Sequence, residues 1–188
     1  MRTKSLRKER YRKEKDKYIV ELAVPDYNHL FDGRDPARFR QKDLDDDAVD
    51  YIVSSIQEVT LPKLSHIEIY FDQVFSQEEQ NIVVDAIHTF FQYESEMMSR
   101  KINSTFRKGL KSLFIGIVFL SFAILGSLAL KNTDHFLGLF FKEGVLLIGW
   151  VSMWKPINIF LYDWWPLADL KKIYDKLSVV RIDFSQKF

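Results

Sequence analysis

Between Ser112 and Leu130 the chain runs for nineteen residues (SLFIGIVFLSFAILGSLAL) without a charge, and Lys111 and Lys131 bracket the run. At about 1.5 Å of rise per helical residue it matches the roughly 30 Å hydrocarbon core of a bilayer. This predicts a transmembrane helix over 112–130. Apolar residues concentrate between Ser112 and Trp165, whereas the chain before Arg100 is strongly charged. The contrast predicts a membrane segment joined to a solvated domain rather than a polytopic bundle. A formal net charge of +1 conceals a local asymmetry: residues 1–17 hold nine Lys or Arg against three acids, while Asp43 to Asp50 (DLDDDAVD) is acidic. The chain has no cysteine, which excludes disulfides, zinc–thiolate sites and thiol nucleophiles. The basic N-terminus lacks the apolar core and cleavage site of a signal peptide.

A second apolar stretch, Gly144 to Tyr162, is again long enough to span, with Lys155 and Pro156 inside it. One buried lysine costs a few kcal/mol on insertion scales, which neighbouring Leu, Ile and Trp residues offset. Lys155 also lies near the C-terminal end, where its stem can reach the headgroups. The alternative frame, Phe136 to Trp154, would bury both Lys142 and Glu143, so 144–162 is the predicted second helix. Arg100, Lys101, Arg107, Lys108 and Lys111 precede the first span, and Lys171 and Lys172 follow the second. The intervening 131–143 has only Lys131 and Lys142 as basic residues. The positive-inside rule then places both termini in the cytoplasm and 131–143 outside. Trp150, Trp154, Trp164 and Trp165, with Tyr162, would form an interfacial aromatic belt at the inner end of the second helix.

Three segments alternate apolar and polar residues with period two, the pattern of strands with one buried face. They are Tyr18 to Val24, Leu64 to Phe71 and Val179 to Phe184. His66, Glu68 and Tyr70 fall on the polar face of the second, Arg181 and Asp183 on that of the third. Asp45 or Asp46 can cap a helix striped by Val49, Ile52, Val53 and Ile56, which predicts a parallel strand–helix–strand unit. Ser76 and Glu79 form a capping box for a helix carrying Val83, Ile87, Phe90, Phe91, Met98, Ile102 and Phe106. That helix extends toward the first span, with Asn103–Ser104 as the expected break. Pro166 suits the first turn of a last helix bearing Leu167, Leu170, Tyr174 and Leu177.

The expected fold class is therefore a small cytoplasmic α/β (α+β) domain with a three-stranded sheet, and a two-helix transmembrane hairpin inserted before the last helix and strand. Its parts would be a disordered basic tail (1–17), an α/β region whose long helix leads into the membrane (18–111), the first span (112–130), a short outer loop (131–143), the second span (144–162), and a helix and strand completing the domain (163–188).

Asp43, Asp45 and Asp47 match the first, third and fifth ligand positions of a calcium loop. Ala48, however, stands where that loop needs glycine, and Ser54 where it needs glutamate. Carboxylates opening a helix explain the run through the macrodipole. His29, His66, His88 and His135 are scattered without ligand spacing, and no nucleophile-elbow, phosphate-loop, dinucleotide or zinc-protease motif occurs. No catalytic, cofactor-binding or metal-binding residue is predicted, and the chain reads as a non-enzyme.

The strongest candidate site lies in the inner third of the second span. Lys155, Asn158 and Tyr162 fall at i, i+3 and i+7 and so share a helix face, with Asp163 beside it. Polar residues at membrane depth face protein or water. This predicts a notch for a protein partner or a lipid headgroup, against the plainer reading of snorkelling and packing inside the hairpin. Gly116, Ala123 and Ser127 on the first span, and Gly149 and Ser152 on the second, would let the helices approach closely. The basic N-terminus can contact anionic lipid. Nucleic acid is not an expected partner, because no aromatic platform or recognition helix accompanies the basic residues.

The string Leu161-Tyr162-Asp163-Trp164-Trp165-Pro166, with Glu143-Gly144, Gly149-Trp150 and Trp154-Lys155-Pro156 before it, resembles a family of uncharacterised bacterial two-span membrane proteins. Arg40 to Ile52 is similar to that family's N-terminal pattern. The resemblance implies a bacterial cytoplasmic (inner) membrane and supplies no activity, cofactor or catalytic residue. The expected role is a membrane-anchored, non-enzymatic scaffold or accessory subunit, presenting its cytoplasmic domain to a protein partner or to further copies of itself. Two alternatives stand beside it: a small oligomeric channel or transport element with Lys155 near a polar path, and a lipid-acting enzyme at the inner leaflet.

Overall fold

The computed structural model describes residues 10–35, 42–72, 76–129 and 136–186. In chain order these form strands β1 (Lys13–Glu14) and β2 (Lys17–Val24), a 3-10 turn (Tyr27–Leu30), helix α1 (Asp46–Val59), a second 3-10 turn (Leu61–Lys63), strand β3 (Leu64–Phe71) and helix α2 (Gln77–Ala129). Helices α3 (Phe136–Ser152) and α4 (Trp154–Asn158), a π-helical turn (Ile159–Asp163), helix α5 (Trp165–Leu177) and strand β4 (Ile182–Gln186) follow. Two compact units result: Met1–Glu96 with Lys171–Phe188, and Met97–Leu170.

The first unit is a mixed α+β layer pair. Its sheet has the order β1-β2-β3-β4, and β2, β3 and β4 run parallel. The register aligns Val20 with Ile67 and Ile182, and Leu22 with Ile69 and Phe184, so the period-two apolar residues stack on one face. Against them lie the buried stripes of three helices: Ile52, Val53, Ile56 and Val59 of α1; Val83, Ile87 and Phe91 of α2; Ile173, Tyr174 and Leu177 of α5. The caps form as the sequence suggests. Asp45 accepts from the Asp47 amide at 3.0 Å; Ser76 N donates to Glu79 Oε2 at 2.8 Å while Glu79 N donates to Ser76 Oγ at 3.3 Å. The Phe91 and Tyr174 rings, 5.8 Å apart, join the start of α2 to α5.

The sheet has four strands rather than three. The end of the basic tail folds into β1, antiparallel to β2 with Lys13 opposite Tyr18, so the tail is not disordered throughout 1–17. Residues 1–9 of that tail lie outside the described residues. The Lys15–Asp16 turn takes positive φ at both positions (46° and 69°), the pattern of a type I′ turn, which ordinarily uses Asn-Gly. With neither residue present, the sequence carries no hairpin signal. Strand β4 begins at Ile182 rather than Val179. Val179 is exposed, and the Val180 carbonyl lies 2.8 Å from His88 Nε2 instead of entering the sheet ladder.

In the second unit the helical pair is placed differently from the expected hairpin. Helix α2 passes through Asn103–Ser104 and Ser112 without a break, because no proline removes a backbone N–H there and Gly109 keeps its own. The second arm starts at Phe136, ahead of Gly144, so Lys142 and Glu143 lie inside α3. No proline separates them from Phe136, and the backbone coils regardless of where the charges fall. The arm breaks at Met153. Pro156 has no N–H for the Ser152 carbonyl and its ring crowds that oxygen; Met153 N closes a tighter turn onto Trp150 O at 3.1 Å.

The two arms meet along small residues. A Cβ on Gly109 would fall 2.7 Å from Ile159 Cγ2, one on Gly116 2.9 Å from Met153 Sδ, and one on Gly149 2.6 Å from Ala123 Cβ. Gly109, Gly116 and Ala123 recur at seven-residue steps, the period of a left-handed helix–helix seam. Ser152 Oγ adds hydrogen bonds to the Gly149 carbonyl (2.6 Å) and, across the seam, to the Gly116 carbonyl (3.3 Å).

Candidate functional site

Of the four residues predicted to form a notch, the structure brings two together. Lys155 Nζ and Asp163 Oδ2 stand 3.9 Å apart. Eight α-helical steps of about 100° would leave them roughly 80° out of line. The π-helical turn from Ile159 to Asp163 winds less per residue and carries Asp163 back over Lys155. The same turn moves Tyr162 off that face, while Asn158 precedes it and is not among the residues lining the cavity that Lys155 and Asp163 share. Asn158 and Tyr162 are both exposed, and the Tyr162 ring instead sits edge-on to Trp165 at 6.2 Å.

Lys155 and Asp163 share a cavity of about 360 Å³ with Ile159 and with Thr105, Lys108 and Ser112 of α2. The sequence reading missed these last three. They fall at i, i+3 and i+7, the spacing that singled out the second arm, and they straddle the start of the uncharged run. Gly109 against Ile159 brings the two arms together at this level. An aromatic cluster also joins the arms: Phe106 lies 6.1 Å from Phe160 and 5.8 Å from Trp164, whose indole N–H donates to the Phe160 carbonyl at 2.9 Å. Trp164 therefore packs inward and does not join the outward belt, whereas Trp150, Trp154 and Trp165 are exposed. The Lys155 and Asp163 side chains keep 71% and 43% of their surface, so their ion pair is a loose one worth under about 1 kcal/mol.

A second polar constellation, also missed, crosses the sheet on the face opposite the apolar rows. Arg12 donates to Glu68 and, at 3.3 Å, to the Tyr70 hydroxyl, and it lies 3.4 Å from Glu21. Tyr70 donates to Glu21 at 2.9 Å and Ser185 to Glu68 at 2.7 Å; His66 Nε2 lies 3.5 Å from Asp183, which accepts from Arg181 at 2.9 Å. His66 and Glu68 are buried, not the surface groups that alternation implies. Burial, reinforced by Glu21, pushes the Tyr70 phenol up to about 12. Each of these groups is engaged by its neighbours, and among the described residues no buried polar side-chain atom lacks a partner.

The acidic run serves the fold. Asp45 is the N-cap of α1, while burial and the nearby Asp35, Asp32 and Asp46 push the Asp43 carboxyl up. A hollow of about 410 Å³ lies beside the carboxyl end of β2, lined in part by His29, Asp45, Asp47 and Tyr51. Two of its polar side chains are already engaged: His29 Nδ1 lies 3.0 Å from Asp26 Oδ1, and Asp45 caps α1. Among the described residues no three metal-ligating side chains converge; His135 lies outside them.

Fold and site together define a chain with one α+β unit and two helical stretches, Gln77–Ala129 and the interrupted Lys142–Leu177, long and apolar enough to cross a membrane. Only 11% and 17% of their most apolar stretches is buried, whereas the core helix of a soluble protein would be largely covered. No protein-family model, curated protein or solved structure matches the chain.

Proposed function

We propose that this chain is a two-span protein of a bacterial cytoplasmic membrane, with both termini in the cytoplasm, and that it acts as a non-enzymatic scaffold or accessory subunit presenting its α+β unit to a protein partner or to further copies of itself. The observation that carries the membrane reading is the exposed apolar surface of the helical pair. Phe114 and Phe122 are each 70% exposed, Leu125 62% and Leu147 65%. Each such side chain is worth about 1.5–3 kcal/mol when removed from water, and lipid removes it. The basic residues before Ser112 and after Tyr162 favour the inner side for both ends. The scaffold reading draws support from the sheet, whose ionisable residues bond to each other across β1 to β4.

The test is chemical cross-linking in native membranes followed by extraction in mild detergent and mass determination. The proposal expects a stoichiometric partner or a defined homo-oligomer. A strictly monomeric protein that cross-links to nothing would refute the scaffold role.

A further inference from the structure

We infer that the cavity shared by Lys108 and Lys155 binds a phosphate group, supplied as the headgroup phosphodiester of an anionic phospholipid. The inference rests on the two-span reading and adds a ligand to it. Two lysines, Lys108 and Lys155, and two hydroxyl residues, Thr105 and Ser112, line one cavity with a single carboxylate residue, Asp163. Among the described residues, Lys108 Nζ and these two hydroxyls have no hydrogen-bond or ion-pair partner. They are the donors a phosphate accepts from. Two lysines and one aspartate sum to one positive charge, the complement of a phosphodiester's single negative charge.

Size and position point the same way. About 360 Å³ lies within the range of small-ligand sites. The cavity sits where Ser112 opens the uncharged run and Lys155 interrupts the second one, the level at which a bilayer holds its phosphates. Immediately beyond Ser112 on the same helix, Phe114 and Ile115 are 70% and 55% exposed, an apolar surface for acyl chains that a free phosphate would leave unused.

The experiment uses the full chain, purified in neutral detergent and delipidated. It is titrated separately with phosphatidylglycerol, phosphatidylcholine, phosphatidylethanolamine and inorganic phosphate, and bound lipid is counted by native mass spectrometry. The expected result is preferential retention of phosphatidylglycerol. At about fivefold per lysine, the Lys108→Gln/Lys155→Gln double variant should lose roughly 25-fold of that preference. Asp163→Asn, which removes the opposing charge, should tighten binding. Lys101→Gln, in the same basic stretch but outside the cavity, should change little, and circular dichroism checks that each variant is folded. Equal loss from Lys101→Gln would mean diffuse attraction and overturn the site. Equal or stronger binding of either zwitterionic lipid would overturn the anionic assignment, and equal binding of inorganic phosphate the lipid assignment. A chain that stays dissolved without detergent refutes the spans themselves. An embedded chain without lipid preference refutes only the cavity.

Discussion

Two alanine substitutions in one helix should have unequal effects on stability. Gly144 and Gly149 both lie inside α3, so replacing either gains the same helix propensity of about 1 kcal/mol. Their surroundings differ. A methyl at Gly144 has nothing within 4 Å, whereas at Gly149 it would stand 2.6 Å from Ala123 Cβ, 3.2 Å from Leu120 Cδ1 and 3.4 Å from Leu120 Cα. Carbon atoms rest about 3.5–4.0 Å apart, so the arms must separate by about 1 Å. Two of the three neighbours are held by backbone and cannot rotate away. Overpacking of this kind costs about 1–3 kcal/mol. With propensity cancelling, Gly149→Ala should be less stable than Gly144→Ala by that amount, roughly 5- to 150-fold in the unfolding equilibrium. All four tryptophans, at 150, 154, 164 and 165, belong to the second unit, so their fluorescence during titration from mild detergent into dodecyl sulfate reports on that unit. Equal stability of the two variants, or a more stable Gly149→Ala, would refute the close seam.

Three further outcomes follow from the first unit. Phe91 is fully buried, with the Phe90 and Tyr174 rings 5.3 and 5.8 Å away, and Phe91→Ala should lower the unfolding free energy measured by urea-induced loss of circular dichroism by about 3–5 kcal/mol. Replacing Lys15–Asp16 by Asn-Gly relieves two left-handed residues and should raise the same quantity by about 1 kcal/mol or more; no gain would argue against the β1–β2 hairpin. Burial alone would raise the Asp175 carboxyl, but hydrogen bonds from Lys171 Nζ (2.6 Å) and from Ser95 outweigh it and hold the group below its ordinary range. A depressed folded-state value stabilises above the unfolded value and loses that contribution as pH falls through the folded one. The stability gap between wild type and Asp175→Asn should accordingly close on acidification below the usual carboxylate range. A gap independent of pH would contradict it.

What the sequence made legible depends on how local the cause is. Strands β2 and β3 were readable because alternation alone decides which face is buried, and the caps at Asp45 and Ser76 because three or four neighbouring residues make the whole interaction. The β1 hairpin was not, since Lys15–Asp16 adopts a conformation that its residue types disfavour and that only the pairing with β2 repays. His66 and Glu68 read as surface because alternation gives a face, not its cover; Arg12, Ser185 and Asp183, distant in sequence, enclose them. At the candidate site, the polar stripe on the second arm was visible but its register was not. A π-helical turn leaves no composition signal, and it joined Lys155 to Asp163 while sending Tyr162 outward. The partners from α2 became apparent only once Gly109 and Ile159 fixed which faces of the arms meet.

The absence of native cysteine permits a direct test of the two crossings. Single cysteines would be placed at Glu78, at Asn132 between the two arms, and at the exposed Val179, and bacterial cells expressing each variant treated with a membrane-impermeant maleimide. The account predicts that Asn132→Cys is labelled in intact cells, and that Glu78→Cys and Val179→Cys are labelled only after permeabilisation. Labelling of Glu78→Cys or Val179→Cys in intact cells as readily as Asn132→Cys, or recovery of the chain in the detergent-free soluble fraction, would contradict it.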